Sequence, residues 1–290
     1  MGISGKTKVC AVIGDPIEHS LSPTIHNAAF QHLNLDFVYV AFQVKKEELS
    51  KAVRGIRSLN IHGLNVTMPH KTAIMKYLDD VDATAKAIGS VNTILNADGK
   101  LIGFNTDGIG ALNALKNNQV ELRGKRLLLL GAGGAAKAIA YQLAHEIEEL
   151  RILNRTEEKA KKLAKFLQGK FNKNIVGEVL SPTILKERLK EADILINATS
   201  VGMHPRPDQT LIEREWLKPS LTVMDIVYDP PETRLLRDAK AVGAKVVNGV
   251  EMLLYQGAAS FEIWCCRPAP LNVMREAIAK NLGRRGTGNT

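Results

Sequence analysis

A glycine-rich turn lies between an apolar strand and a helix near the middle of the chain. Residues 131–136 read Gly-Ala-Gly-Gly-Ala-Ala and directly follow the apolar run Leu127–Leu130. This is the GxGxxA form of the dinucleotide fingerprint, whose glycines allow a tight turn and close approach of the backbone to a pyrophosphate. The free N–H groups and the dipole of the following helix favour that anion. The pattern therefore predicts a dinucleotide site, with contacts from Gly131, Ala132, Gly133, Gly134 and Ala135.

The next strand ends without the acidic residue that an NAD site usually carries about 20 residues further on. It ends instead in Asn154-Arg155-Thr156, and Lys159 follows one turn later. A carboxylate would repel a 2′-phosphate, whereas a guanidinium can hold it with paired hydrogen bonds. The pattern favours NADP over NAD, and an ordinary cationic surface is the alternative interpretation.

Residues at later strand ends extend the predicted cofactor surface. Ligands of an open parallel sheet lie beyond the carboxyl ends of its strands. Thr199, Ser200 and Val201 follow such a strand, although a plain loop would also explain them. The remaining cofactor contacts that we predict are Ile226, Gly249 and Met252.

Polar motifs in the first third of the chain and near its end are candidates for binding the second reactant. In chain order they are residues 20–23 (Ser-Leu-Ser-Pro), 65–71 (Asn-Val-Thr-Met-Pro-His-Lys), 90–93 (Ser-Val-Asn-Thr), 103–108 (Gly-Phe-Asn-Thr-Asp-Gly), 248–249 (Asn-Gly) and 255–258 (Tyr-Gln-Gly-Ala). Together and in this order, they resemble the shikimate dehydrogenase family, which includes shikimate/quinate dehydrogenases. The resemblance covers essentially the whole chain. It implies NADP-dependent reduction of 3-dehydroshikimate to shikimate, a step of aromatic amino acid (chorismate) biosynthesis.

The resemblance also implies a role for each matching residue. Ser20 and Ser22 match the serines that bind the substrate carboxylate, with Tyr228 as an additional contact. The positions that match hydroxyl-binding residues are Asn65, Thr67, Lys71, Asn92, Asp107 and Gln256. A triol needs both donors and acceptors, and this set provides both.

Lys71 and Asp107 match the family's catalytic pair. When hydride reaches a ketone carbon, a lysine ammonium can donate a proton to the oxygen, and Asp107 can orient that lysine. Without the resemblance, Lys71 would be interpreted as a surface helix residue, and Asp107 and Ser22 as helix caps. We expect His70 to be structural. Glu251 departs from the family pattern, where a small or apolar residue is common, and this puts local cofactor contacts in doubt.

Three alternatives remain. A quinate/shikimate dehydrogenase with relaxed substrate and cofactor choice stays open because Tyr39 lies in a region where a tyrosine can contact substrate. A relative of methylene-tetrahydrofolate dehydrogenase is disfavoured by the polyol-binding set. A non-enzymatic NADP sensor or nucleic-acid-binding module is disfavoured by the presence of both Lys71 and Asp107 and by basic residues that are scattered among acids.

The elements that must position these residues form two α/β domains. From about residue 108, strands at 126–130, 150–153, 193–198, 222–226 and 245–247 alternate with helices, which predicts a Rossmann-type doubly wound parallel sheet. Earlier, we predict strands at 8–13, 37–42 and 61–66, helices from Ser22, over 45–56, after Pro69 and over 81–88, and a hairpin turn at 96–99. Helices are predicted over 251–264 and 271–281. The boundaries are 1–107 plus 251–290 for the substrate-binding and catalytic domain, and 108–250 for the NADP-binding domain.

Composition limits the class of protein. The 290 residues are 45% hydrophobic and 24% charged, with a formal net charge of +9, which is typical of a globular protein that binds anionic ligands. No apolar run reaches the roughly 20 residues of a membrane span. Three cysteines and seven histidines show no metal-ligand spacing. We expect a cytoplasmic monomer or homodimer without metal, membrane or nucleic-acid partner, and a frayed end over 283–290.

Overall fold

The computed structural model describes residues 2–287, with side chains through residue 283. The chain divides into two compact units: unit 1 comprises Met1–Thr106 and Leu254–Thr290, and unit 2 comprises Asp107–Leu253. The junctions therefore lie after residues 106 and 253, whereas the sequence places the domain boundaries after residues 107 and 250.

The described part of the chain contains twelve strands and ten α-helices, joined by loops and short 3₁₀ helices. In chain order they are β1 (Lys8–Gly14), α1 (Ser22–His32), β2 (Phe37–Gln43), α2 (Leu49–Ser58), β3 (Gly63–Val66), β4 (Asp80–Val81), α3 (Ala83–Ile88), β5 (Thr93–Ala97), β6 (Lys100–Phe104), α4 (Asp107–Asn117), β7 (Arg126–Leu130), α5 (Gly134–Leu143), β8 (Glu149–Asn154), α6 (Glu157–Phe171), β9 (Asn174–Val179), α7 (Pro182–Glu191), β10 (Ile194–Asn197), β11 (Thr222–Asp225), α8 (Arg234–Ala241), β12 (Lys245–Val247), α9 (Gly249–Cys265) and α10 (Leu271–Thr287).

Unit 1 contains a mixed six-stranded sheet with the order β2-β1-β3-β5-β6-β4. Strand β1 pairs in parallel with β2 and β3, while β5 runs antiparallel to β3 and β6. The predicted hairpin turn is present: Asp98 and Gly99 both have positive φ, +51° and +89°, as a two-residue hairpin loop requires. This hairpin brings Asn92, which precedes β5, and Thr106, which follows β6, to the same open end of the β5–β6 pair.

Three helix predictions in unit 1 need correction. The segment after Pro69 forms only a short 3₁₀ helix over Ala73–Tyr77, and residues 45–56 form a 3₁₀ turn followed by α2. Val81 belongs to β4, because the Asp82 side chain accepts hydrogen bonds from the backbone N–H groups of Thr84 and Ala85 and so caps a helix that begins at Ala83.

Unit 2 is an all-parallel sheet with the order β12-β11-β10-β7-β8-β9. Counted from β7, this is the order 3-2-1-4-5-6 of the dinucleotide-binding fold, which confirms the predicted fold class. Strand β9 was missed, because it is an edge strand whose mostly half-buried residues give no strong apolar signal. A Cβ at its Gly177 would lie 2.3 Å from the Ala160 backbone, so β9 packs directly on α6.

The chain returns to unit 1 along α9, and α10 is the last element. Because α10 continues to Thr287, the predicted frayed end was wrong for residues 283–287, while 288–290 lie outside the described residues. Among the described helices, none is both long and apolar enough to cross a membrane.

Candidate active site

A buried network of amides and hydroxyls lies in unit 1 around Asn65, which β3 carries. The Asn65 Nδ2 atom lies 3.1 Å from Asn92 O, 3.2 Å from Thr93 Oγ1 and 3.0 Å from Ser260 Oγ. Its Oδ1 accepts a hydrogen bond of 2.7 Å from the Tyr39 hydroxyl. Both N–H groups of Asn65 are therefore directed at protein acceptors, and its oxygen keeps one acceptor position.

Asn92, the residue before β5, continues this network. Its Nδ2 donates to Thr106 Oγ1 at 2.9 Å and to Gln256 Oε1 at 3.4 Å, and its Oδ1 accepts from the Thr106 N–H at 2.8 Å. Ser260 Oγ lies 2.8 Å from Thr93 Oγ1 and donates to the Gln256 carbonyl at 3.0 Å. The structure thus brings together three predicted site residues: Asn65 on β3, Asn92 just before β5 and Gln256 on α9.

Sequence reasoning missed Thr93, Thr106 and Ser260 as members of this network. Thr93 and Thr106 lie within the quoted polar motifs, and Ser260 follows Gln256 by one helical turn, which was the available signal. Tyr39 is 2% exposed and belongs to the network through its hydroxyl. Burial raises the pKa of Tyr39 well above its ordinary value, and a hydrogen bond with Ser22 opposes this, so the phenol is neutral and donates.

The two predicted carboxylate-binding serines lie at the start of α1. The helix begins at Ser22 and the preceding residue is Leu21, so the prediction of Ser22 as N-cap was wrong. Instead, the Ser22 N–H donates to Ser20 Oγ at 3.3 Å. Ser22 is buried and Ser20 is half-buried.

Thr67 and Lys71 lie on the segment after β3. The Thr67 methyl fills the space beside Gly14, where a Cβ would approach it to 2.4 Å, and the Thr67 N–H donates to the Ile13 carbonyl. The Lys71 carbonyl accepts a hydrogen bond of 2.8 Å from Val91 N, which fixes this backbone next to Asn92. His70 is 1% exposed and its Nε2 lies 2.6 Å from Val44 O, so its side chain serves a structural contact.

The glycine-rich turn of unit 2 has the geometry of a dinucleotide fingerprint. Gly131 has a φ of +111°, and a Cβ there would lie 2.9 Å from the Ala198 carbonyl oxygen. Gly133 precedes α5, and a Cβ there would meet no protein atom within 4 Å. The protein itself therefore does not demand a glycine at 133, whereas a ligand against this helix N-terminus would. Ala136 is fully buried.

Arg155, Thr156 and Lys159 lie exposed at the start of α6. The Asn154 side chain donates to the Thr156 carbonyl at 2.9 Å, which holds the turn that carries Arg155. Within the described part of the chain, neither Arg155 nor Lys159 forms an ion pair. Two cations thus remain available to a phosphate at the end of β8.

The other predicted cofactor residues lie at the ends of β10 and β11 and at the start of α9. Thr199 and Val201 are half-buried and Ser200 is exposed, on the loop after β10. Ile226 and Tyr228 are half-buried after β11. A Cβ at Gly249 would lie 2.4 Å from Val227 O, and Met252 is 6% exposed.

Asp107 opens α4 as the first residue of unit 2 and is 4% exposed. Gly108, which follows it, allows close packing of α4 on α5, because a Cβ would lie 2.7 Å from the Ala138 carbonyl oxygen. Among residues 2–287, no group of three or more His, Cys, Asp or Glu side chains could hold a metal ion.

Three family descriptions match the chain in succession. They are the shikimate dehydrogenase substrate binding domain over residues 12–94, shikimate / quinate 5-dehydrogenase over 113–227, and the shikimate 5′-dehydrogenase C-terminal domain over 249–279. The chain belongs to the shikimate dehydrogenase family. This confirms the resemblance that the motifs carried.

Full-length relatives agree with this membership. The shikimate dehydrogenase (NADP(+)) of Methanocaldococcus jannaschii is 48% identical over 281 residues, which cover 97% of this chain and 99% of the relative. A crystal structure of a shikimate dehydrogenase in complex with NADP+ is 46% identical with a TM-score of 0.91, and covers 97% of this chain and 98% of that one. The Listeria monocytogenes shikimate 5-dehydrogenase, solved with shikimate and NAD, is 41% identical with a TM-score of 0.87, and covers 95% and 98% of the two chains.

Proposed function

We propose that this member of the shikimate dehydrogenase family catalyses the reversible, NADP-dependent reduction of 3-dehydroshikimate to shikimate. The buried network of Asn65, Asn92 and Gln256 carries the proposal, because its neutral donors and acceptors suit a polyol. The choice of NADP is supported by the fingerprint turn of unit 2 and by Arg155 and Lys159, which form no ion pair within the described residues.

Bound NADPH supplies the hydride that adds to the ketone carbon. Lys71 donates a proton from its ammonium group to the oxygen on which negative charge develops, and in the reverse direction its free amine takes that proton back. Asp107 orients Lys71. One hydride and one proton convert the ketone to the alcohol, so the chemistry balances without a metal.

Substrate binding divides between a carboxylate and three hydroxyls. The family resemblance assigns the carboxylate to Ser20 and Ser22 and makes Tyr228 an additional candidate contact. The hydroxyls are bound by Asn65, Thr67, Lys71, Asn92, Asp107 and Gln256. Because the Asn65 N–H groups face protein acceptors, a substrate hydroxyl that reaches Asn65 donates to its Oδ1.

Cofactor binding belongs to unit 2. Gly131, Ala132, Gly133, Gly134 and Ala135 would hold the pyrophosphate, and Arg155, together with Asn154, Thr156 and Lys159, would hold the 2′-phosphate. The nicotinamide end would be held by Thr199, Ser200, Val201, Ile226, Gly249 and Met252. Residues 1–107 with 251–290 remain the proposed substrate-binding and catalytic domain, and residues 108–250 remain the proposed NADP-binding domain. A cytoplasmic monomer or homodimer stays our prediction.

One assay tests the proposal. Purified protein is supplied with shikimate or quinate and with NADP or NAD, in all four combinations, and kcat/KM is measured for each. The highest efficiency is expected with shikimate and NADP. A preference for quinate, or equal use of NAD, would assign the chain to the quinate/shikimate branch, and no turnover with any combination would refute the enzymatic role.

A further inference from the structure

A buried carboxylate of unit 2 is bonded to three separate elements. Asp225 ends β11 and is 0% exposed. It accepts hydrogen bonds from Asn197 Nδ2 at 3.0 Å, from the Val227 N–H at 3.1 Å and from the Thr233 hydroxyl at 2.7 Å. These partners stand at the end of β10, after β11 and before α8.

Asn197 passes this contact on to the loop after β10. Its Oδ1 accepts from the Thr199 N–H at 3.2 Å and from the Thr199 hydroxyl at 2.7 Å, while its Nδ2 also donates to Val201 O at 3.3 Å. Val201 N in turn donates to Thr199 Oγ1 at 3.2 Å. Because a carboxylate only accepts, Asp225 forces the Asn197 amide to present Nδ2 inward and Oδ1 to Thr199. The loop conformation thus depends on which way this one amide points.

The same carboxylate holds the segment after β11. Its bond from Val227 N fixes the peptide between Ile226 and Val227. The carbonyl oxygens of these two residues would lie 2.5 and 2.4 Å from a Cβ at Gly249, so the start of α9 packs directly on them. The conformations of both segments, residues 199–201 and 226–227, therefore depend on the Asp225 side chain.

The free-energy cost of burying the Asp225 carboxylate indicates a role beyond packing. Burial raises the pKa of Asp225 to about 6, although hydrogen bonds from Thr233, Val227 and Asn197 oppose the rise. Its partners from β10, β11 and α8 are all uncharged, and no cation among the described residues pairs with it. A buried carboxylate without a cation is expensive in free energy, and apolar residues would pack here at lower cost.

We propose that Asp225 is a positioning residue for the nicotinamide cofactor. It sets the Asn197 amide and, through it, the backbone of residues 199–201, and it sets the 226–227 peptide against Gly249. This inference rests on the proposed function, which assigns those segments to NADP.

The test measures the NADP dissociation constant in four proteins: wild type, Asp225→Ala, Asp225→Asn and Asp193→Ala. Asp193 is the matched control, because it is also a carboxylate of this sheet and accepts from the Arg126 backbone and guanidinium, but at the opposite end of β10. Its loss should lower stability without affecting the loop.

Asp225→Ala should weaken NADP binding at least about tenfold, the loss expected for a hydrogen bond to a charged group. Asp225→Asn should recover most of the affinity, since its Oδ1 still accepts from Asn197 and Val227. Asp193→Ala should bind NADP like the wild type. If Asp225→Ala does not fold, Asn197→Leu replaces it and should show the same loss.

Wild-type NADP affinity in Asp225→Ala, or in Asn197→Leu, would overturn the positioning role. So would an equal loss of affinity in Asp193→Ala at a matched fall in melting temperature, because the effect would then be general destabilisation. If the wild type itself binds no NADP in the same titration, the proposed function fails. The two failures are therefore distinguishable.

Discussion

His26 is fully buried in unit 1, and replacing it should change how the stability of that unit depends on pH. Its ring stacks on Tyr39 with a centroid distance of 4.5 Å and lies 5.1 Å from the Trp264 ring. Neither ring nitrogen has a hydrogen-bond partner in the described structure. Burial lowers the pKa of His26 from 6.5 to about 3, so the folded protein keeps the ring neutral.

The sign and size of the effect follow from proton linkage. Below pH 6.5 the unfolded chain binds a proton at His26, whereas the folded chain does not bind one until the pH approaches 3. The free energy of unfolding therefore has its highest contribution from His26 above pH 6.5, and this contribution falls as the pH drops from 6.5 towards 3. The loss is about 1.4 kcal/mol per pH unit below the unfolded pKa, or about 2 kcal/mol at pH 5. His26→Leu removes the titrating ring. Between pH 7 and pH 5, the free energy of unfolding of this variant should therefore fall by about 2 kcal/mol less than that of the wild type.

Urea unfolding followed by tryptophan fluorescence measures this difference. The chain has two tryptophans, so a Trp216→Phe background leaves Trp264 of unit 1 as the reporter. His32→Asn serves as control, because His32 is exposed on the same helix α1, and it should follow the wild type at every pH. Parallel stability curves for His26→Leu and the wild type between pH 7 and pH 5 would refute the reasoning.

Three further predictions concern the reaction. Lys71→Ala should lower kcat at least about 100-fold, the low end for loss of a general acid, with NADP affinity unchanged by titration calorimetry; near-wild-type turnover would remove Lys71 from the mechanism. Ser20→Ala and Ser22→Ala should each weaken shikimate binding by about 1–3 kcal/mol, and a substrate analogue without the carboxylate should bind equally to both variants and the wild type; a loss for that analogue too would mean that the serines act through the start of α1. The wild type should prefer NADP over NAD by at least about tenfold in kcat/KM, and Arg155→Ala should remove most of this preference by weakening NADP alone. Because Arg155 is exposed, the preference should shrink as salt rises, and a salt-independent preference would place the 2′-phosphate elsewhere.

The local part of the fold could be predicted from the sequence. The strand before the fingerprint, Arg126–Leu130, and the last strand of unit 2, Lys245–Val247, have the predicted bounds. Each is a run of apolar residues followed by a turn or helix signal, so the information lies in adjacent residues. Strand β9 carries no such signal, and the short β4 was predicted as helix because Val81 precedes a helical pattern that Asp82 caps one residue later.

Some parts of the candidate site could likewise be predicted from contiguous residues, and others could not. The turn at Gly131 and the cations after β8 are contiguous motifs, and their positions at strand ends follow from the fold alone. The hydroxyl network of unit 1 is different, because Asn65 and Ser260 are 195 residues apart and meet only through tertiary packing. No periodicity in either segment indicates that contact.

Trp264 shows how that distant contact is fixed. Its Nε1 donates a hydrogen bond of 2.9 Å to Ile94 O, and its carbonyl oxygen lies 3.0 Å from His62 Nε2. These two contacts connect the end of α9 to β5 and to the residue before β3. A Cβ at Gly63 would lie 2.6 Å from the indole nitrogen, so the ring lies directly on the β3 backbone. Ser260, one turn earlier on α9, is thereby held against Asn65 and Thr93. The orientation of the Asn65 amide, and so the acceptor that it offers to a substrate hydroxyl, depends on a glycine and a tryptophan that carry no chemistry themselves.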